Sequence, residues 1–142
     1  MANKKVVCSF DYENDKNYYY LLTAWNSNPY IPFHISDCTP NEIQTESIHV
    51  IKQQLSWRIA DANYMIAIIG KHSNDLHKDY YAIGYRNWQS YEIAKNYEKG
   101  NGLVVVVLDV NSIPDECYGK NAEWVYEFNM QKIIEALNKI QK

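Results

Sequence analysis

Trp88 and Glu92, in the segment NWQSYEIAKNYEKGNG (87–102), stand four residues apart, so on a helix the indole and the carboxylate share one face. A carboxylate shielded by an aromatic ring is a candidate acid, base or cation stabiliser. Glu92 also has an ordinary reading. With Lys95 three positions on, it makes an exposed ion pair worth roughly a few tenths of a kcal/mol, and Trp88 merely anchors the start of the helix.

The chemistry open to a single glutamate is specific. Breaking a glycosidic bond passes through an oxocarbenium-like state, and a carboxylate close beneath it stabilises the developing positive charge. One glutamate suffices when the leaving group is already cationic, because that group departs neutral and needs no general acid. The nicotinamide of NAD+ is such a group.

Other reactive residue types are less well arranged. His72 and His77, with Asp75 and Asp79, match no established ligand spacing, so no metal is expected. His34 and His49 read as packing or surface histidines. Asp11, Glu13 and Asp15 partly resemble the acidic cluster of a phosphate-accepting receiver domain, but no late-strand lysine completes it. Neither G-x-G-x-x-G nor G-x-x-x-x-G-K-[ST] occurs, and with five glycines neither is hidden, which removes the usual dinucleotide and phosphate cradles.

Positioning Glu92 requires a frame, and the apolar pattern supplies one. KKVVCSF (4–10), YIPFHIS (30–36), NYMIAIIG (63–70) and LVVVVLD (103–109) read as strands. The third and fourth are continuous apolar runs, as strands covered on both faces require. Pro32 puts the second at a sheet edge. EWVYEF (123–128) reads as a fifth strand before a closing helix over 129–141, with Ile133, Ile134, Leu137 and Ile140 facing inward. A single long helix from Asn121 is the rival, and periodicity does not separate the two.

Tyr18, Leu21, Leu22 and Trp25 stripe a helix over 14–28, and Ile48, Ile51, Leu55, Ile59 and Ala62 mark a second. Thr39, Pro40 and Glu42 suggest a capping box ahead of the second. The stretch 71–87 reads as a polar loop of seventeen residues, long enough to act as a lid or binding loop. On the helix after it, Ile93, Ala94 and Tyr97 share a side.

Strands alternating with helices, without linker or repeat, predict one α/β domain over 1–142 with a parallel sheet of order 2-1-3-4-5. In such sheets ligands bind outside the carboxyl ends of the strands, between the first and third. Glu92, in the second turn of the helix after strand three, lies near that rim by topology alone.

Composition sets the outer bounds. At 142 residues, 46% hydrophobic and 22% charged, the chain is ordinary for a globular protein. A net charge of −3 without a long basic run argues against nucleic acid as a partner. Cys8, Cys38 and Cys117 are odd in number and lack C-x-x-C spacing, so reduced thiols are expected, with Cys8 a small core residue. No signal-peptide pattern or membrane-length apolar run is present, so a cytoplasmic protein without a membrane is expected. Thirteen tyrosines and four tryptophans are many for this length, and are read as core or interface filler.

The segments KKVVCSFDYENDKNYYYLLTAW and IGKHSND…NWQSYEIAKNYEKGNGLVVVVLD resemble TIR-like domains of the Thoeris ThsB type, bacterial antiphage signalling proteins with a flavodoxin-like TIR fold. The resemblance runs from about Lys4 to Asp109, weakens after Pro114, and is most specific at Trp88-Gln89-Ser90-Tyr91-Glu92-Ile93. It implies a three-layer sheet with helices on both faces, and Glu92 as the catalytic residue of NAD+ cleavage. It further implies Ser9, Phe10, Asp11, Tyr12 and Trp88 at the nucleotide pocket. The loop 36–45 would contribute Ser36 and Asp37 there and take part in self-association. NAD+ would be the substrate, with no cofactor. A cyclic ADP-ribose-type product, or linear ADP-ribose if water intercepts the cation, would reach a separate effector protein. The segment before Trp88 is longer than a minimal TIR connection.

Two other readings stand beside this one. The chain is a non-enzymatic TIR-like assembly module whose tyrosines form interfaces, or a flavodoxin-like binder of another nucleotide.

Overall fold

The two unbroken apolar runs become the centre of a sheet. In the computed structural model, which describes residues 4–36 and 47–140, β3 (Tyr64–Ile69) is buried throughout and β4 (Gly102–Val107) almost so. They pair in parallel, Met65 opposite Leu103 through Ile69 opposite Val107. On the other side of β3 lies β1 (Lys4–Ser9), followed outward by β2 (Phe33–Ile35), while β5 (Glu123–Val125) flanks β4. The sheet is parallel throughout, in the order β2-β1-β3-β4-β5 expected from the pattern.

Because strand side chains alternate between faces, each strand feeds two cores. Helices α1 (Tyr12–Thr23) and α5 (Met130–Lys139) cover one face, where Tyr19, Leu22, Ile133 and Leu137 meet Cys8, Ile66, Ile68 and Val106. Helices α2 (Ile48–Ala60) and α4 (Trp88–Glu98) cover the other, where Ile59 and Ile93 meet Val7, Met65, Ala67 and Val105.

Several boundaries differ from expectation. Strand two shortens to three residues, with Pro32 just outside it. The first helix starts at Tyr12, capped by Asp11, and gives way to a 3-10 turn at Ala24–Ser27. Its buried face runs through Asp15, Tyr19 and Leu22, so Leu21 points outward rather than inward. The tail resolves as the strand-then-helix reading, with Asn129 capping α5 through its bond from the Lys132 N–H.

Helix α2 is capped by Ser47, whose side chain accepts from the Val50 N–H. The suggested box at Thr39, Pro40 and Glu42 falls outside the described residues, as do Asp37 and Cys38. The stretch 71–87 is no structureless loop. It contains a one-turn helix, α3 (Tyr80–Ile83), closed by Gly84 at φ 85°. Ile83 anchors that turn in a small cluster with Leu55 of α2 and Tyr91 of α4. Among the described residues, no helix is long and apolar enough to cross a membrane.

Candidate functional site

The inward face of α4 is unusually polar. Tyr91 and Ile93 are buried, but so are Gln89, Ser90, Glu92 and Asn96. A buried polar group without a hydrogen bond costs about 1–3 kcal/mol, comparable to what a buried isoleucine contributes, so the bonds this face makes carry weight. Gln89 Oε1, Ser90 Oγ and Asn96 Oδ1 are buried without a partner among the described residues. The Gln89 amide donates to the carbonyls of Ser9 (3.1 Å) and Ile68 (2.8 Å), near the carboxyl ends of β1 and β3. Asn96 donates to the Gly102 carbonyl at 3.1 Å. Together these bonds set the height of α4 on the sheet.

Glu92 is 4% exposed and accepts a hydrogen bond from the Ser9 hydroxyl at 3.1 Å. Burial pushes its carboxyl up to about 8; the Ser9 hydrogen bond and the charge of Arg58 pull the other way. The exposed pair with Lys95 does not form, since Lys95 binds Glu98 at 3.0 Å. A carboxyl near 8 holds its proton or releases it with a small change in surroundings, the condition acid–base and charge-stabilising chemistry needs.

Glu92 opens on a cleft of about 640 Å³ at the carboxyl ends of β1 and β3. Phe10 and Trp88 line it, along with Asp11, Tyr12 and Gln89. Phe10 is fixed by stacking on Tyr19, with ring centroids 5.1 Å apart and 12° between planes. Trp88 is held edge-on by Tyr91 at 5.6 Å and by His77 at 6.4 Å. Asp11 caps α1: its carboxylate accepts from the Glu13 N–H and from the Asn14 amide at 2.6 Å.

The remaining wall comes from 72–78, within the stretch expected to act as a lid or binding loop. Asn87 holds it in place. Its amide donates to the carbonyls of Ser73 (2.9 Å) and Asp75 (2.8 Å), while its oxygen caps α4 by accepting from the Ser90 N–H (2.9 Å). Ser73 accepts from the Gly70 N–H and donates to the Ile68 carbonyl. His72 pairs with Asp75 at 2.8 Å, and that hydrogen bond raises its pKa. Among the described residues no group of three or more His, Cys, Asp or Glu is placed to hold a metal ion.

The structure therefore gathers Phe10, Asp11, Tyr12, Trp88 and Glu92 around one cleft. Ser9 lies beneath it with no exposed surface, behind Glu92. Ser36 does not line the cleft; its N–H donates to the Val6 carbonyl, and its own carbonyl accepts from the Tyr19 hydroxyl. Asp37 lies outside the described residues. Sequence reasoning missed Gln89, Asn87 and Ser73. Asn87 carried a signal, since asparagine just before a helix is a preferred cap.

Residues 7–113 match the family model described as Thoeris protein ThsB, TIR-like domain, in agreement with the resemblance carried by the segments above. No match is found among curated proteins. Among solved structures, the chain is similar to a CMP N-glycosidase of Clostridium botulinum, with a TM-score of 0.60, 11% identity, and 95% of this chain and 98% of that one covered. It is also similar to a 2-deoxyribosyltransferase of Bacillus psychrosaccharolyticus, with a TM-score of 0.57, 13% identity and 88% of each chain covered. A prokaryotic SEFIR domain aligns with a TM-score of 0.55 and 11% identity over 96% of this chain and 95% of that one. At these identities the likeness is one of fold.

Proposed function

We propose that this chain, which belongs to the Thoeris ThsB TIR-like domain family, cleaves the bond between nicotinamide and ribose in NAD+ and makes a nucleotide signal in antiphage defence. The observation that carries the reading is the buried carboxyl of Glu92, set in a cleft between Phe10 and Trp88 at the carboxyl ends of the two central strands. Nicotinamide leaves with the electrons of the C1′–N bond, and positive charge develops on the ribose. Ionised Glu92 stabilises that charge in a site where water screens little. An internal nucleophile of the ADP-ribose then attacks C1′ and loses its proton, closing a cyclic isomer. If water attacks, linear ADP-ribose results. Exclusion of water by the stretch 71–87, whose residues 72–78 wall the cleft, would decide between the two products. The cyclic product acts on a separate effector, and self-association supports the active state.

A second reading follows from the protonation of Glu92. With its carboxyl near 8, Glu92 carries a proton at neutral pH, which a neutral leaving base requires as it departs. The CMP N-glycosidase and the 2-deoxyribosyltransferase of similar fold are, by name, proteins that act at nucleosidic bonds. On this reading the substrate is a nucleoside or nucleotide with an uncharged base.

One assay tests both. Protein at high concentration, to favour assembly, is incubated with NAD+ or with CMP, and products are resolved by chromatography beside Glu92→Gln. NAD+ turnover abolished by Glu92→Gln supports the first reading. Release of cytosine alone supports the second, and NAD+ turnover that survives the substitution removes Glu92 from the mechanism. No turnover of either substrate leaves the assembly module as the better account.

A further inference from the structure

Ser9 ends β1 with no surface open to a ligand, yet it touches both polar residues that line the cleft floor. Its hydroxyl donates to Oε1 of Glu92 at 3.1 Å, and its carbonyl accepts from Nε2 of Gln89 at 3.1 Å. The Gln89 amide also donates to Ile68 at 2.8 Å, so both of its hydrogens are committed and the orientation of the group is settled. The Ser9 backbone is thus tied to α4 at the level of Glu92, and its hydroxyl is held where the carboxyl lies.

We propose that Ser9, locked by Gln89, is the positioning residue of the site: its hydroxyl holds Oε1 of Glu92, leaves Oε2 for the ligand, and favours the carboxylate over the carboxylic acid. A hydroxyl donor serves the two forms unequally, because its bond to a charged oxygen is roughly twice as strong as one to a neutral oxygen. In a buried site with little water, that difference pulls Glu92 toward ionisation against the larger push of burial.

The groups around Glu92 leave this role to few residues. Arg58 of α2 acts through its charge and also favours the ionised form, but less than Ser9 does. Asp11 and Glu13 at the start of α1, and Asp75 beyond β3, bring negative charge to the cleft. His72, His77 and Lys78 line the same outer wall as Asp75, and His72 is paired with it. Lys95, on α4 itself, is engaged by Glu98.

The inference rests on Glu92 being the reacting carboxyl, and not on the identity of the substrate. It is therefore read without substrate. The full chain is labelled with 13C at glutamate side-chain carboxyls, the Glu92 resonance is assigned by its loss in Glu92→Gln, and its shift is followed against pH. Ser9→Ala is expected to raise the Glu92 midpoint by about one to two pH units, the equivalent of losing one hydrogen bond to a charged group. Ser9→Thr, which keeps the hydroxyl, is expected to restore it. An unmoved midpoint in Ser9→Ala, or a Ser9→Thr midpoint displaced as far, overturns the proposal. Should Ser9→Ala not fold, Ser9→Cys supplies a weak donor of similar size, and its midpoint must rise, though less. In a turnover assay the pH midpoint of kcat/KM must move with the titration, which a purely structural loss of α4 packing does not produce.

Discussion

Lys95 pairs forward with Glu98, at 3.0 Å, and not back with Glu92, so the buried carboxyl has no counter-ion from its own helix. Its protonation is governed by burial, and the pH dependence of any activity follows. If the leaving group is cationic, Glu92 acts as the carboxylate, and kcat/KM rises with pH to a plateau above about 8. If the leaving group is a neutral base, Glu92 acts as the acid and the rate falls through the same range. A pH–rate profile with each substrate distinguishes the two, and a profile flat from pH 6 to about 9 fits neither.

The same carboxyl weakens the fold at high pH. Its folded value, about 8, lies above its unfolded value of 4.5, so the folded chain binds the extra proton between the two. The stability this provides is fully present below 4.5 and is lost as pH rises through about 8. Glu92→Gln has no charge to bury and is expected to exceed wild type by roughly 1–3 kcal/mol at alkaline pH, with the gap closing at acid pH. Urea denaturation at acid, neutral and alkaline pH measures this. A gap independent of pH contradicts the assignment.

Asn87 joins the helix start to the cleft wall, through one cap and two amide bonds. Asn87→Ala removes all three and is expected to cost about 1–3 kcal/mol. Asn87→Asp keeps the cap but not the two donors. In hydrogen exchange, Asp is expected to protect the first turn of α4 while leaving 73–76 as fast as in the alanine variant. Equal protection of 73–76 in Asp and wild type shows the wall to be held otherwise.

Gly70 has a different constraint. A Cβ there would collide with the buried carboxylate of Asp15 on α1, whose pKa is raised by burial and then by the charge of Asp11. Gly70→Ala is expected to destabilise by about 1–3 kcal/mol. Adding Asp15→Ala should recover part of that loss, a coupling visible in a double-mutant cycle. Additive effects rule out the clash as the cause.

The sheet was legible because burial on both faces leaves a plain mark: unbroken apolar runs at 64–69 and 103–107, with proline at the edge strand. Glu92 and its aromatic neighbour were legible from spacing and from topology. The rest of α4 was not. Ile93, Ala94 and Tyr97 read as its packed side, yet Tyr97 is half exposed while Gln89, Ser90 and Asn96 are buried. Apolar periodicity cannot find a helix face docked by hydrogen bonds. Nor could it find α3, a single turn held by Ile83 and closed by Gly84 inside a polar stretch. The pairing of Ser9 with Glu92 spans 83 positions of sequence and exists only once β1 and α4 meet.

A greasy helix face tolerates slippage, because one isoleucine fits nearly where another did. The face α4 presents behaves like a key: the Gln89 amide has two carbonyls to meet, and displacement by one turn leaves them all unmatched. A chain whose sheet packs without seating this key keeps its hydrophobic interior but leaves Glu92 without the Ser9 hydroxyl that holds it. Sequence changes that merely loosen the seat are therefore expected to disturb the cleft around Glu92 while leaving the protein folded.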